Sequence, residues 1–272
     1  MVPAMPPVVH LRNAVALTGR FPALAGVDLA VEPGTVVVLE GANGAGKTSL
    51  LRVCAGLLPV TSGSVTVLGC DLRSDRAAVR RRVGMLGHAA ALYDDLTVVE
   101  NVRFAVRAAG GDPHGVDAVL ERLGLAGRLR RTAVGRLSAG QRRRVDLAAL
   151  VARRPELWLL DEPHASLDVA GRELVDTVVR DAAAAGATVL VASHELQTVV
   201  PLADQVVTLA GGRVVDRWSP ARPSPAPDPA VAVGTPAGGA ERADDAAPTG
   251  GAGPAVTAAR RTERGEAGAH VA

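Results

Sequence analysis

The chain has 272 residues, 48% of them apolar, and a formal net charge of +2. That length holds one large domain or two small ones around a substantial core, and so slight a charge argues against nucleic acid as a main partner. No apolar run reaches the ~18 residues that would span a membrane, residues 1–7 lack the basic and apolar regions of a signal peptide, and the two cysteines, Cys54 and Cys70, make no disulfide framework and read as small core residues of a cytosolic protein.

Residues 8–17 and 24–31 read as strands, the second closed by the turn Glu32-Pro33-Gly34. Thr35 to Leu39 is β-branched and apolar throughout, the pattern of a buried parallel strand. It runs into Gly41-Ala42-Asn43-Gly44-Ala45-Gly46-Lys47-Thr48, and Ser49 then opens a helix that ends near Gly56. Strand, glycine-rich turn and helix are the setting of a phosphate-binding loop. The glycines let the backbone curl so that its N–H groups face phosphate oxygens, and the helix N-terminus adds partial positive charge there. Lys47 can reach the β- and γ-phosphates and Thr48 can hold Mg²⁺. Lys47 is also the chain's single lysine, every other basic side chain being arginine.

Beyond a loop at 57–63, Ser64 to Leu68 reads as a strand, Asp71 to Arg82 as a short charged helix, and Val83 to Gly87 as a strand leading into His88. From Thr97 to about Arg154 the period becomes helical, in three apolar stretches around Val102, Leu120 and Leu147. Leu157-Trp158-Leu159-Leu160 is a second buried strand, and it delivers Asp161 and Glu162 at its C-terminal end. In company with the phosphate loop, Asp161 reads as a second Mg²⁺ residue, acting through the ion's water shell, and Glu162 as the general base for an attacking water. Glu173 to Ala185 reads as a helix, Thr188 to Ala192 as a further core strand followed by Ser193-His194, and 206–215 as a hairpin about Gly211-Gly212. Residues 219–272 are rich in Pro, Ala and Gly and are read as a disordered tail, too poor in large apolar side chains to offset chain entropy.

Leu137-Ser138-Ala139-Gly140-Gln141, followed by three arginines, completes the pattern. With the phosphate loop, Asp161-Glu162, Ser166-Leu167-Asp168 and His194 in this order and spacing, residues 8–217 resemble the ATP-binding subunits of ABC transporters, whose signature is Leu-Ser-Gly-Gly-Gln. The resemblance implies an α/β fold: a P-loop NTPase of the ABC ATPase type over residues 1–218, with a mostly helical subdomain near 89–155 and an antiparallel β subdomain. It implies ATP and Mg²⁺ as cofactors, with ATP held by Gly41 to Ser49 of one subunit and by Ser138, Ala139, Gly140 and Gln141 of the other. Asp168 then shapes the contact between subunits and His194 touches the γ-phosphate. The partners implied are a second ATPase subunit, the same or related, and transmembrane permease subunits, which places the chain in the cytoplasm on the inner face of the cell membrane.

Two departures from the family pattern carry information. Ala139 stands where glycine is usual, and its methyl group is small and leaves the backbone N–H in place. His88 stands where the family has a glutamine that touches Mg²⁺ or the attacking water and links to the membrane subunits, and it can titrate near neutral pH. Thr18 lies roughly where relatives stack a tyrosine on adenine, with Phe21 nearby. Leu39 to Gly44, Leu86-Gly87-His88 and the signature together are similar to the haem-exporting ATPases of cytochrome c maturation. The ATPase of a drug or other small-molecule exporter is the alternative. A soluble non-transport ABC ATPase fits less well, because such chains carry two nucleotide domains or a long coiled-coil insertion.

Overall fold

The computed structural model describes residues 5–87 and 91–220. His88 and the expected tail beyond residue 220 lie outside the described residues. The chain divides into units Met1–Ser224 and Pro225–Ala272, and the described residues all belong to the first.

Two sheets organise this unit. The first is antiparallel and pairs in the order β2-β1-β4-β5, from β1 (Val9–Thr18), β2 (Phe21–Val31), β4 (Ser62–Val67) and the short β5 (Cys70–Asp71). The second has the order β10-β9-β3-β8-β7-β6, built from β3 (Val36–Glu40), β6 (Val83–Leu86), β7 (Leu157–Asp161), β8 (Thr188–Ala192), β9 (Gln205–Ala210) and β10 (Arg213–Trp218). All neighbours in it are parallel except β10, which turns back along β9 as the edge.

The continuous apolar runs of β3, β7 and β8 follow from burial on both faces. Side chains alternate between two cores. Val36, Val38, Trp158 and Val191 pack toward the helices, with Val102, Leu120, Leu147 and Val179. Val37, Leu39, Leu159 and Leu190 pack toward α1 (Lys47–Cys54) and the antiparallel sheet, with Leu50, Leu51, Val27 and Val65. Cys54 lies in this second core, and burial pushes its thiol up to about 12. Both cysteines are free, Cys70 being half-buried.

The helical stretch resolves into α2 (Val98–Ala108), α3 (Val116–Arg122) and α4 (Ala139–Arg153). A reciprocal capping box starts α2: the Thr97 N–H donates to the Glu100 carboxylate at 2.8 Å, and the Glu100 N–H donates back to the Thr97 hydroxyl. α5 (Val169–Ala184) and the single-turn α6 (Leu196–Val199) complete the α-helices of the described residues. Among the described residues no helix is long and apolar enough to cross a membrane.

Two elements differ from expectation. Residues 72–82 form a series of turns and no helix. Asp71 accepts from the Arg73 N–H at 2.9 Å, and Asp75 accepts from Ala77 and Ala78 at 3.0 and 3.1 Å. These short carboxylates take the backbone donors that a helix would need. Conversely, α5 begins at Val169, four residues before the expected Glu173. Asp168 makes this possible by capping the helix, its carboxylate accepting from the Gly171 N–H at 2.8 Å.

Candidate functional site

In the sheet order β3-β8-β7, Leu39 and Asp161 both pair with Ala192. The C-terminal ends of these three strands are therefore adjacent, and the loops that leave them converge outside the sheet, where open α/β folds bind ligands. The sequence put one motif on each of those loops.

The loop after β3 has two positions that only glycine fills. Gly41 has φ 143°, and a Cβ there would lie 2.3 Å from the Leu209 carbonyl oxygen. Gly46, the N-cap of α1, has φ 108°, and its Cβ would lie 2.7 Å from the Ala23 carbonyl oxygen. Ala42, Asn43 and Gly44 are exposed, Ala45 is buried, and Ser49 is half-buried in the first turn of α1. Lys47 is 7% exposed. Its ammonium folds back over the loop, donating to the Gly41 and Ala42 carbonyls at 2.6 and 3.2 Å. A buried ammonium whose partners are loop carbonyls alone is matched to an incoming polyanion.

Thr48 and Asp161 meet across the site. The Thr48 hydroxyl lies 3.1 and 2.9 Å from the two carboxylate oxygens of buried Asp161. These are hard oxygen donors, and few in number, which fits Mg²⁺: it keeps several waters and takes its other ligands from phosphates.

Glu162 follows with φ 49°, a left-handed conformation that is rare for a residue with a side chain. Its N–H donates to the Ala192 carbonyl at 2.9 Å, tying β7 to β8 beyond their last paired residues. Its carboxylate lies 2.8 Å from Nδ1 of His194 and accepts from the hydroxyl of buried Ser193 at 3.5 Å. The hydrogen bond and charge of Glu162 raise the pKa of the exposed His194 imidazole above its usual range. A carboxylate base and an imidazole donor thus stand together at the strand ends.

The signature lies elsewhere. Ser138 is the N-cap of α4, accepting from the Gln141 N–H at 3.2 Å while its own N–H donates to the Gln141 side chain at 3.1 Å. Ser138 and Ala139 are exposed and Gly140 is half-buried. Among the described residues no hydrogen bond or ion pair joins residues 138–141 to the phosphate loop. Asp168 caps α5 and faces Arg144 of α4 at 3.4 Å. Phe21 is 79% exposed and pairs with Thr18 at the β1–β2 turn.

Sequence reasoning missed Arg143. It sits in the apolar stripe of α4, at the spacing of Leu147 and Leu150, and is 7% exposed. A charged residue at an inward helical position was the signal that could have found it. Ser193 was passed over as the neighbour of His194, and a short polar residue after a buried strand gives no signal of its own.

The sequence profile of the ABC transporter family matches residues 24–165. A cytochrome c biogenesis ATP-binding export protein of Aromatoleum aromaticum is 42% identical over 193 residues, spanning 70% of this chain and 89% of that protein. A daunorubicin resistance ATP-binding protein of Streptomyces coeruleorubidus is 41% identical over 201 residues, spanning 72% of this chain and 63% of that protein. Among solved structures, the ATP-binding subunit of an ABC transporter superposes with a TM-score of 0.71 at 26% identity, covering 78% of this chain and 90% of that one. A dimeric ATP-binding cassette bound to ADP and Pi superposes with a TM-score of 0.71 at 24% identity, covering 78% and 98%, and shares the fold. With its phosphate loop, strand-end carboxylates and helix-capping signature in the family's order, the chain belongs to the ABC transporter family as an ATP-hydrolysing, ATP-binding subunit.

Proposed function

We propose that this subunit drives a membrane exporter of haem for cytochrome c biogenesis, and that two ATPase subunits work head to tail on transmembrane permease subunits at the inner face of the cell membrane. Residues 1–218 are the catalytic domain on this reading, with the helical subdomain near 89–155. The observation that carries the catalytic part is the placement of the Glu162–His194 pair, 2.8 Å apart, at the strand ends beside the Thr48–Asp161 contact. The export part rests on the relatives in cytochrome c biogenesis, among them one from Cupriavidus pinatubonensis, 37% identical over 78% of this chain and 93% of that protein.

The residues divide the work as follows. Backbone N–H groups from Gly41 to Ser49 cradle the phosphates, and Lys47 exchanges its two carbonyl partners for β- and γ-phosphate oxygens. Thr48 and Asp161 would hold Mg²⁺, which supplies neutralisation of phosphate charge. Glu162 takes a proton from the water that attacks the γ-phosphate. His194 leaves Glu162 to donate a hydrogen bond to the γ-phosphate, which frees the carboxylate to act as base. Exposed Ser138 and the first N–H groups of α4 form a second anion site that closes on the nucleotide of the opposite subunit. His88 takes the place of the family's glutamine between the nucleotide and the permease.

Glu162→Gln keeps the shape and removes the base. ATP binding is retained, hydrolysis falls ~10²-fold or more, and uncleaved ATP holds a dimer that gel filtration detects. Wild-type turnover in this variant refutes the assignment of the base. Mixing Lys47→Ala with Ser138→Arg chains restores one intact composite site when Ser138 acts on the opposite subunit. Activity no higher than the sum of the separate variants refutes head-to-tail action. The daunorubicin resistance relative supports a second reading, export of a polycyclic drug. Stimulation of the reconstituted ATPase–permease complex by haem and not by anthracycline decides for the first, and the reverse for the second.

A further inference from the structure

Arg143 is the one arginine counted among the buried polar and charged side chains of the described residues, at 7% exposure. All its hydrogen-bond partners are main-chain carbonyls. Nη1 donates to Gly87 at 2.5 Å, Nη2 donates to Asp161 and Glu162 at 2.9 and 2.8 Å, and Nε donates to Pro163 at 3.4 Å. Those oxygens come from the ends of two neighbouring strands, β6 and β7, where Leu86 pairs with Leu160. The ladder stops there, and carbonyls beyond it need another donor. A planar fork of five N–H groups on a helix across the core supplies one.

The arrangement does more than satisfy oxygens. The Asp161 carbonyl belongs to the peptide plane before Glu162, and the Glu162 carbonyl belongs to the plane after it. Holding both planes restrains φ and ψ of Glu162, and so the direction in which its Cα–Cβ bond leaves the chain, while His194 and Ser193 meet the carboxylate itself. Glu162 needs such support, because its φ of 49° is strained for a side-chain-bearing residue.

We infer that Arg143 is a positioning residue for ATP hydrolysis: from the signature helix it locks the peptide planes on both sides of Glu162. This rests on Glu162 being the general base. Burying a guanidinium is costly, and an apolar residue would suit the α4 stripe if packing were the only demand.

The test uses Arg143→Lys and Arg143→Gln in the full chain, each alone and combined with Glu162→Gln. Affinity for a fluorescent ATP analogue, single-turnover hydrolysis and thermal midpoint are measured for every variant. A positioning role predicts nucleotide affinity within ~2-fold of wild type and a hydrolysis rate down ~10- to 10²-fold, the scale of a misplaced catalytic group. In the Glu162→Gln background the same substitutions add less than a further ~2-fold, because the group they aim is already gone. Multiplicative losses in that background overturn the inference, as does an equal fall in affinity and rate. An Arg143→Lys chain that does not fold also overturns it, since the guanidinium would then serve the fold as a whole. Glu162→Gln with undiminished turnover sinks the base assignment itself, which is a different outcome from a slow Glu162→Gln combined with multiplicative Arg143 losses.

Discussion

Asp146 lies three residues after Arg143 on α4, and its pH dependence follows from its surroundings. Burial raises its carboxyl from 3.8 to about 6, with the charge of Arg143 opposing part of that rise. The rise of about 2 units at 1.36 kcal/mol per unit amounts to ~3 kcal/mol. In the unfolded chain the carboxyl ionises near its ordinary value, and in the folded chain only near 6. Between those values the folded state holds the extra proton, so stability falls as pH rises through this window and is level above it. Asp146→Asn is nearly isosteric and stays neutral. It is expected to stabilise the protein at about pH 8 by up to ~3 kcal/mol, a figure already net of the attraction to Arg143, and to change little at about pH 4. For a domain of this size ~3 kcal/mol corresponds to ~6–12 °C in thermal midpoint. Calorimetry of both proteins across that pH range is the assay. Curves displaced by a constant amount at all pH values refute the reasoning, and a less stable Asn variant at high pH shows that the Arg143–Asp146 attraction outweighs desolvation.

Two further outcomes follow from the site. Gly46→Ala puts a methyl group against the Ala23 carbonyl at φ 108°, so nucleotide affinity should fall by ~10-fold or more, a strain of only ~1.4 kcal/mol being enough for tenfold; wild-type affinity by titration counts against the stated geometry. Glu162→Gln removes the carboxylate whose hydrogen bond and charge raise the pKa of His194, so the His194 titration followed by NMR should move down toward the ordinary histidine range, and an unmoved titration refutes the pairing.

The parallel sheet was legible because burial on both faces leaves an unbroken apolar run, and Thr35–Leu39, Leu157–Leu160 and Thr188–Ala192 each show one. The site motifs were legible because the phosphate loop and the signature are contiguous stretches whose chemistry needs adjacent residues. What failed was decided by side chains acting on backbone. Asp71 and Asp75 turned an expected helix into turns, and Asp168 started α5 one turn early. Short carboxylates within a few residues of a candidate helix end were visible in the sequence, but which N–H each one captures depends on the final path of the chain. The Glu162–His194 pair needed the strand order β3-β8-β7, which places a loop after β7 beside one after β8. Arg143 was the middle of an arginine triplet that the sequence does not tell apart, and only the packing of α4 on the strand ends turned it inward.

That triplet shows how one helix serves two jobs. The start of α4 is exposed at Ser138 and Ala139, with Ser138 and Gln141 locked in a reciprocal cap. Little more than a turn later Arg143 grips the carbonyls around Glu162, and Arg144 faces Asp168 where α5 begins. A helix is stiff over so short a span, so its tip and its grip move together. On the head-to-tail reading the tip senses the nucleotide of the opposite subunit while the grip sets the base of its own. A displacement of α4 when the opposite site closes would then be felt at the peptide planes of Glu162, whose φ of 49° leaves it little room to follow passively. On that reading the arginine fork is a short path by which occupancy of one site reaches the other, since it joins the signature helix by hydrogen bonds to the peptide planes on both sides of Glu162.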